Sequence, residues 1–272
     1  MTMGFECILV TGAGGKVARA VRPHLSTLCR ELRLTDIVPL EAAAANETVH
    51  VADLADASAL PALVSGVDAV VHFAGYPREA TWSVLLDANL RTVINLWEAA
   101  VAAGVQRIVY ASSNHAVGYY ARTEHIDHRA LPRPDSRYGV TKVFMEALAS
   151  LHADKHGLRS MGVRIGYCGV EPVEARMLSH WVHPEDLAQL IEVGLTAEYL
   201  HEIVYGVSAN SATWYDNSRA VALGYRPRHS ADRFAAALAS VRSDNPVSER
   251  YQGGSFAGNG HVGDPERPAR SR

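Results

Sequence analysis

The stretch Glu6-Cys-Ile-Leu-Val-Thr11, followed at once by Gly12-Ala-Gly-Gly15-Lys-Val-Ala18, decides the fold class. The first part is a short apolar run of strand length. Beyond the glycines, Val17, Val21, Leu25 and Leu28 recur at helical spacing. A strand that turns through clustered glycines into a helix brings free backbone N–H groups to one point, which suits a pyrophosphate. Ala18 occupies the third position of the pattern, which tolerates it. The glycines alone are weak evidence; the strand before and the helix after them strengthen it. The expected contacts at this turn are Gly12, Gly14, Gly15, Lys16 and Val17.

Outward from the turn, strand signals fall at 32–36, 49–51, 69–73, 107–111 and 160–165, with a further candidate at 203–205. Helical spacing covers 57–64, 82–103 with Gly104 just beyond, 138–156, 184–196, 217–223 and 231–241. Strands alternating with helices predict βαβ units, hence an α/β fold with a Rossmann-type, doubly wound parallel sheet. We expect one domain over 1–256. Its cofactor half spans about 1–165, and a smaller substrate-capping part spans about 166–256. Residues 257–272 are rich in Gly, Pro and charge and read as a disordered tail.

Composition excludes several classes. The 272 residues are 48% hydrophobic and 20% charged, too apolar for a disordered chain. Net charge is −3, so the basic excess usual for nucleic-acid or membrane-surface binding is missing. No apolar run reaches membrane-spanning length, and the N-terminus lacks a signal-peptide pattern. Cys7, Cys29 and Cys168 form neither a disulfide framework nor a CxxC site, which favours a reduced, cytoplasmic setting.

Asp36 closes the second strand, 24 residues after Gly12. An acidic group there accepts hydrogen bonds from ribose hydroxyls and repels a 2′-phosphate, so NAD is expected over NADP. Ile37 and Val38, not arginine, follow it. Asp53-Leu54 and Phe73-Ala74-Gly75 close the next strands, where small or short groups admit a cofactor.

Tyr138 and Lys142 stand four apart at a helix start, on one face. An ammonium near a phenol favours phenolate, which can exchange a proton with a substrate hydroxyl during hydride transfer. Ser112-Ser113-Asn114 follows the strand 107–111, at the strand end where open α/β sheets bind ligands. His152 and His156 have zinc-compatible spacing but no HExxH pattern, so no metal is expected. His125 and His128 read as loop residues, and Cys168 has no base to make it a nucleophile.

The order TGxxGxxA, Asp36, SSN, YxxxK resembles the extended short-chain dehydrogenase/reductase (NAD-dependent epimerase/dehydratase) superfamily. ASSNHAVGYY (111–120), RPDSRYGVTK (133–142), VRIGYC (163–168), RMLSHW (176–181), SANSATWYDNS (208–218) and YQGGSF (251–256) are similar to its uronate dehydrogenase branch. The resemblance implies NAD-dependent oxidation of a uronic acid at C1, from hemiacetal to lactone. It implies Tyr138 as base, Lys142 as its partner, and Ser113 as the orienting hydroxyl. Asn114 and His115 would touch sugar hydroxyls, and Arg176 would grip the carboxylate. Asn89, Ser112, Ile165 and Cys168 complete the implied cofactor contacts. Two positions depart from the branch: Pro77 and Tyr167 stand where it has pocket serines, which changes what fits. Members of the family often form homo-oligomers through the YxxxK helix.

Two other readings stay open at this point. A nucleotide-sugar epimerase or dehydratase would share the fold. However, Asn114-His115 replaces the Asp-Glu pair usual in dehydratases, and only 134 residues follow Tyr138 to hold a nucleotide. A catalytically inactive NAD-binding interaction protein would share it too, although such proteins often lose the Tyr/Lys pair.

Overall fold

The computed structural model describes residues 4–264. Its elements begin β1 (Phe5–Thr11), α1 (Lys16–Leu25), β2 (Cys29–Asp36), β3 (Glu47–Val51), α2 (Leu60–Val64), β4 (Ala69–His72), α3 (Trp82–Leu85) and α4 (Thr92–Ala103). They continue with β5 (Arg107–Ser113), α5 (Arg137–His156), β6 (Arg159–Ile165), β7 (Tyr167–Cys168), α6 (Met177–His180), β8 (Trp181–Val182), α7 (Pro184–Thr196) and β9 (His201–Gly206). The last are α8 (Ser218–Leu223), α9 (Ala235–Leu238), α10 (Pro246–Arg250) and α11 (Ser255–Gly258).

Seven strands form one parallel sheet in the order β3-β2-β1-β4-β5-β6-β9. Both faces are covered, so the central strands are apolar throughout rather than alternating, as in Ile8–Val10 and Ala69–Val71. One core lies beneath α1 and α7, around Val21, Leu25, Leu187 and Leu190. The other lies beneath α2, α4 and α5, around Leu63, Trp97, Met145 and Ala149. The chain runs outward from β1 to β3, then reverses to β4 on the other side. This reversal opens a crevice at the carboxyl ends of β1 and β4.

Several expected boundaries move. Helix α1 stops at Leu25 rather than reaching Leu28, because Ser26 and Thr27 donate their hydroxyls to the Pro23 and His24 carbonyls. The chain therefore enters β2 at Cys29, three residues early. The helix expected over 82–103 holds a π-helical segment, Leu86–Arg91, between α3 and α4. The helix expected over 231–241 shrinks to a short turn and α9, and Val241 lies exposed. The tail boundary at 257 is too early: α11 runs through Gly258, and Ala257 is fully buried against Val247 and Tyr251. The rest of that expected tail, 265–272, lies outside the described residues.

Candidate active site

The crevice is a cavity of about 910 Å3, near the upper end for small-molecule sites. At its floor, Gly12 turns with φ of +65°, a left-handed conformation that a side chain would strain. A Cβ there would also meet the Ala74 backbone nitrogen at 2.6 Å, so glycine lets the β1 and β4 loops touch. No side chain caps the start of α1 at Gly15, so its first-turn N–H groups remain available to an anion. Asp36 accepts the Gly14 N–H at 2.9 Å and the Val38 N–H at 3.3 Å. A carboxylate so engaged retains acceptor sites for ribose hydroxyls. The open helix start, the glycine floor and the adjacent carboxylate fit a dinucleotide.

The cavity gathers most of the expected residues. Gly12, Gly15, Lys16, Val17, Asp36, Ile37, Asp53, Leu54, Phe73, Ala74, Gly75, Ser112 and Ile165 line the cofactor side. Ser113, Asn114, His115, Tyr138, Lys142, Pro77, Tyr167 and Arg176 line the other.

Three expected cofactor contacts do not line it. Gly14 packs on Asp36 and Leu40 and spends its N–H on Asp36. Asn89, fully buried in the π segment, accepts the Tyr76 N–H at 2.6 Å and donates to Tyr76 O and Thr141 Oγ1. It thereby ties the loop after β4 to helix α5. Cys168 is buried, and burial pushes its thiol up to about 11.

Helix α5 is set by its N-terminus. Ser136 accepts the Gly139 N–H at 3.0 Å, and Glu79 accepts the Tyr138 N–H at 3.1 Å while pairing with Arg137. A carboxylate at this end also suits the helix dipole. Lys142 Nζ donates to the Ala111 carbonyl at 2.7 Å and lies 5.5 Å from the centre of the Tyr138 ring.

The electrostatics correct one expectation. Burial pushes the Tyr138 phenol up to about 12, with the Ser113 hydroxyl pulling it down and Asp135 pushing it up. Burial also brings the Lys142 ammonium down to about 8, against the attraction of Glu146. Burial of the phenol dominates its shift, and the group that opposes it is the Ser113 hydroxyl rather than the lysine.

Asp135 and Phe256, which the sequence did not single out, also belong to the site. Asp135 is buried and lies 2.7 Å from His115 Nδ1. A Cβ at Gly118 or Gly253 would come within 1.8 Å of its carboxylate, so two glycines enclose the pair. Phe256 stacks on the His115 ring at 3.9 Å. Arg176 donates to Glu174 and to the Gln252 carbonyl, leaving other guanidinium N–H groups for a ligand. The Tyr167 ring sits 5.1 Å from Lys16 Nζ and packs against Gly169.

Among the described residues, His183, Glu185 and His229 are close enough to suggest a metal. Their two imidazoles are stacked 3.7 Å apart at 18°, so the in-plane lone pairs do not converge on one ion.

Known proteins agree with this geometry. Residues 8–183 match the NAD dependent epimerase/dehydratase family. The uronate dehydrogenase of Pseudomonas putida is 43% identical over 94% of this chain and 97% of its own. An NAD-dependent glucose-6-phosphate dehydrogenase of Haloferax volcanii is 37% identical over 84% of this chain and 95% of its own. A crystal structure of a mutant uronate dehydrogenase from Agrobacterium tumefaciens, complexed with NAD, superposes with a TM-score of 0.89. It is 41% identical and is matched over 94% of this chain and 98% of that one. The chain belongs to the NAD-dependent epimerase/dehydratase family, in its uronate dehydrogenase-like branch.

Proposed function

We propose that this NAD-dependent oxidoreductase oxidises C1 of a free uronic acid to the lactone. The observation that carries the reading is one cavity holding Ser113, Tyr138 and Lys142 together with the Arg176 guanidinium, beside an open dinucleotide turn. Bound NAD supplies the acceptor for the C1 hydride. The C1 hydroxyl proton goes to Tyr138, Ser113 orients that hydroxyl, and C1 becomes the carbonyl carbon of the lactone. Lys142 holds positive charge near the phenolate and reaches the cofactor ribose. Arg176 binds the carboxylate in its planar fork, and Asn114 and His115 take ring hydroxyls. Gly12, Gly15, Lys16 and Val17 hold the pyrophosphate, and Asp36 selects NAD.

The reading includes a cytoplasmic homo-oligomer. The three cysteines are free and buried, and no described helix is long and apolar enough to cross a membrane. Val140 and Leu151 are exposed eleven residues apart on α5, hence on one face, where a second copy can dock.

Incubation with NAD and a panel of uronic acids should produce the absorbance of reduced cofactor. Tyr138→Phe should lower kcat by about 10²- to 10⁴-fold, the usual contribution of a general base. No reduction with any uronic acid in the panel overturns the reading.

A further inference from the structure

Lys16 and Tyr167 come from opposite rims of the crevice. Lys16 opens α1, directly after the glycine turn, and Tyr167 follows β6. In the sheet, β1 and β6 are separated by β4 and β5, a span of about 14 Å at the usual strand spacing. The two side chains nevertheless meet: Lys16 Nζ lies 5.1 Å from the centre of the Tyr167 ring, and both residues line the cavity. The tyrosine is firmly held. It pairs with Trp181 of β8, and its backbone N–H donates at 3.0 Å to Nδ1 of His180, one helical turn past Arg176. A Cβ at residue 169 would lie 2.9 Å from the ring, so Gly169 makes room for it. Lys16, by contrast, is exposed on a flexible four-carbon stem and forms no ion pair among the described residues. Its charge also reaches the buried Cys168 thiol, next along β7, where it opposes the upward shift. The uronate dehydrogenase branch has a serine at the Tyr167 position, and a serine offers no ring.

We propose that Tyr167 is a cofactor-positioning residue: its ring holds the Lys16 ammonium across the crevice, in place for the pyrophosphate of the dinucleotide. A free lysine side chain loses rotamer freedom when it settles on a phosphate. The cation–π contact orders it beforehand, so that loss precedes cofactor binding. A position at which the chain departs from its branch thus acts on the cofactor side of the cavity. The inference needs the NAD site and does not rest on the uronate reading.

The test is NADH binding, read from the fluorescence of the reduced cofactor with no sugar present. Tyr167→Leu keeps an apolar side chain but loses the π-face, and its Kd should rise about two- to tenfold, the usual penalty for ordering one long side chain. Tyr167→Phe keeps the face and should bind as wild type does. Lys16→Met should weaken binding too. The double variant Lys16→Met/Tyr167→Leu should be no weaker than Lys16→Met, because the ring acts only through the ammonium. Melting curves of the cofactor-free variants show which are folded; should Tyr167→Leu not fold, Tyr167→Ser, the residue of the branch, takes its place in the cycle. An unchanged Kd in Tyr167→Leu, an equal loss in Tyr167→Leu and Tyr167→Phe, or a further loss on adding Tyr167→Leu to Lys16→Met overturns the proposal. A failure of every uronic acid to reduce NAD overturns the substrate reading and leaves this binding result standing.

Discussion

At the scale of single residues, burial moves Tyr138 and Lys142 in opposite directions in pKa, up to about 12 and down to about 8. In the proposed mechanism the base works as phenolate, whose fraction rises tenfold per pH unit below about 12. Its partner works as ammonium, whose fraction falls tenfold per unit above about 8. The product of the two rises with pH up to about 8 and then levels. Initial rates of NADH formation from pH 6 to 10 should therefore give a kcat/KM that climbs with unit slope and flattens near pH 8. A profile flat from pH 6 contradicts these two values. YxxxK spacing made the pair visible in the sequence, but the direction of the phenol shift was not. That direction depends on how much water the fold removes, which spacing does not encode.

At the scale of elements, Glu146 on α5 joins three pieces of the scaffold. It receives a two-pronged contact from Arg164 of β6, at 2.9 Å for both bonds, and the Ser112 hydroxyl of β5 at 2.6 Å. Arg164 also reaches the Tyr205 hydroxyl of β9. Glu146→Gln leaves the Arg164 charge buried without its counter-charge, a loss of about 3 kcal/mol. The thermal midpoint should fall by about 10 °C. The double variant Glu146→Gln/Arg164→Met should recover part of that loss, because no unpaired buried charge remains. A single variant as stable as the parent would show that the pair carries no net stability. Helix and strand identities followed from apolar periodicity, and Pro184–Thr196 appears with the expected bounds. The π segment at Leu86–Arg91 did not announce itself, because its extra residue per turn serves Asn89's tertiary bonds rather than any local preference.

At the scale of the whole molecule, the far end of the chain returns to close the cavity. Gly253 N–H donates to Gly118 O, Gln252 N–H donates to Tyr120 O, and Phe256 reaches the rings of His115 and Tyr138. A stacked aromatic pair contributes about 0.5–1.5 kcal/mol. That contact lies within the protein, so Phe256→Ala should lower the thermal midpoint by about 2–5 °C, and loss of a cavity-lining ring should also raise KM for the acid. Steady-state kinetics beside a melting curve separates the two effects. An unchanged KM would mean that Phe256 only covers the site.

The sequence by itself determined the sheet, the dinucleotide turn and the Ser113, Tyr138, Lys142 set. These rest on local rules: apolar period, glycine at a strand-to-helix turn, and i, i+4 spacing on one helix face. The tertiary structure decided the rest. It placed Asn89 and Gly14 behind the wall, seated Asp135 under His115, brought Phe256 across the mouth, and set His180 beside Arg176. Those contacts join residues far apart in the chain, and burial sets their protonation. Neither property can be read from the order of the residues alone.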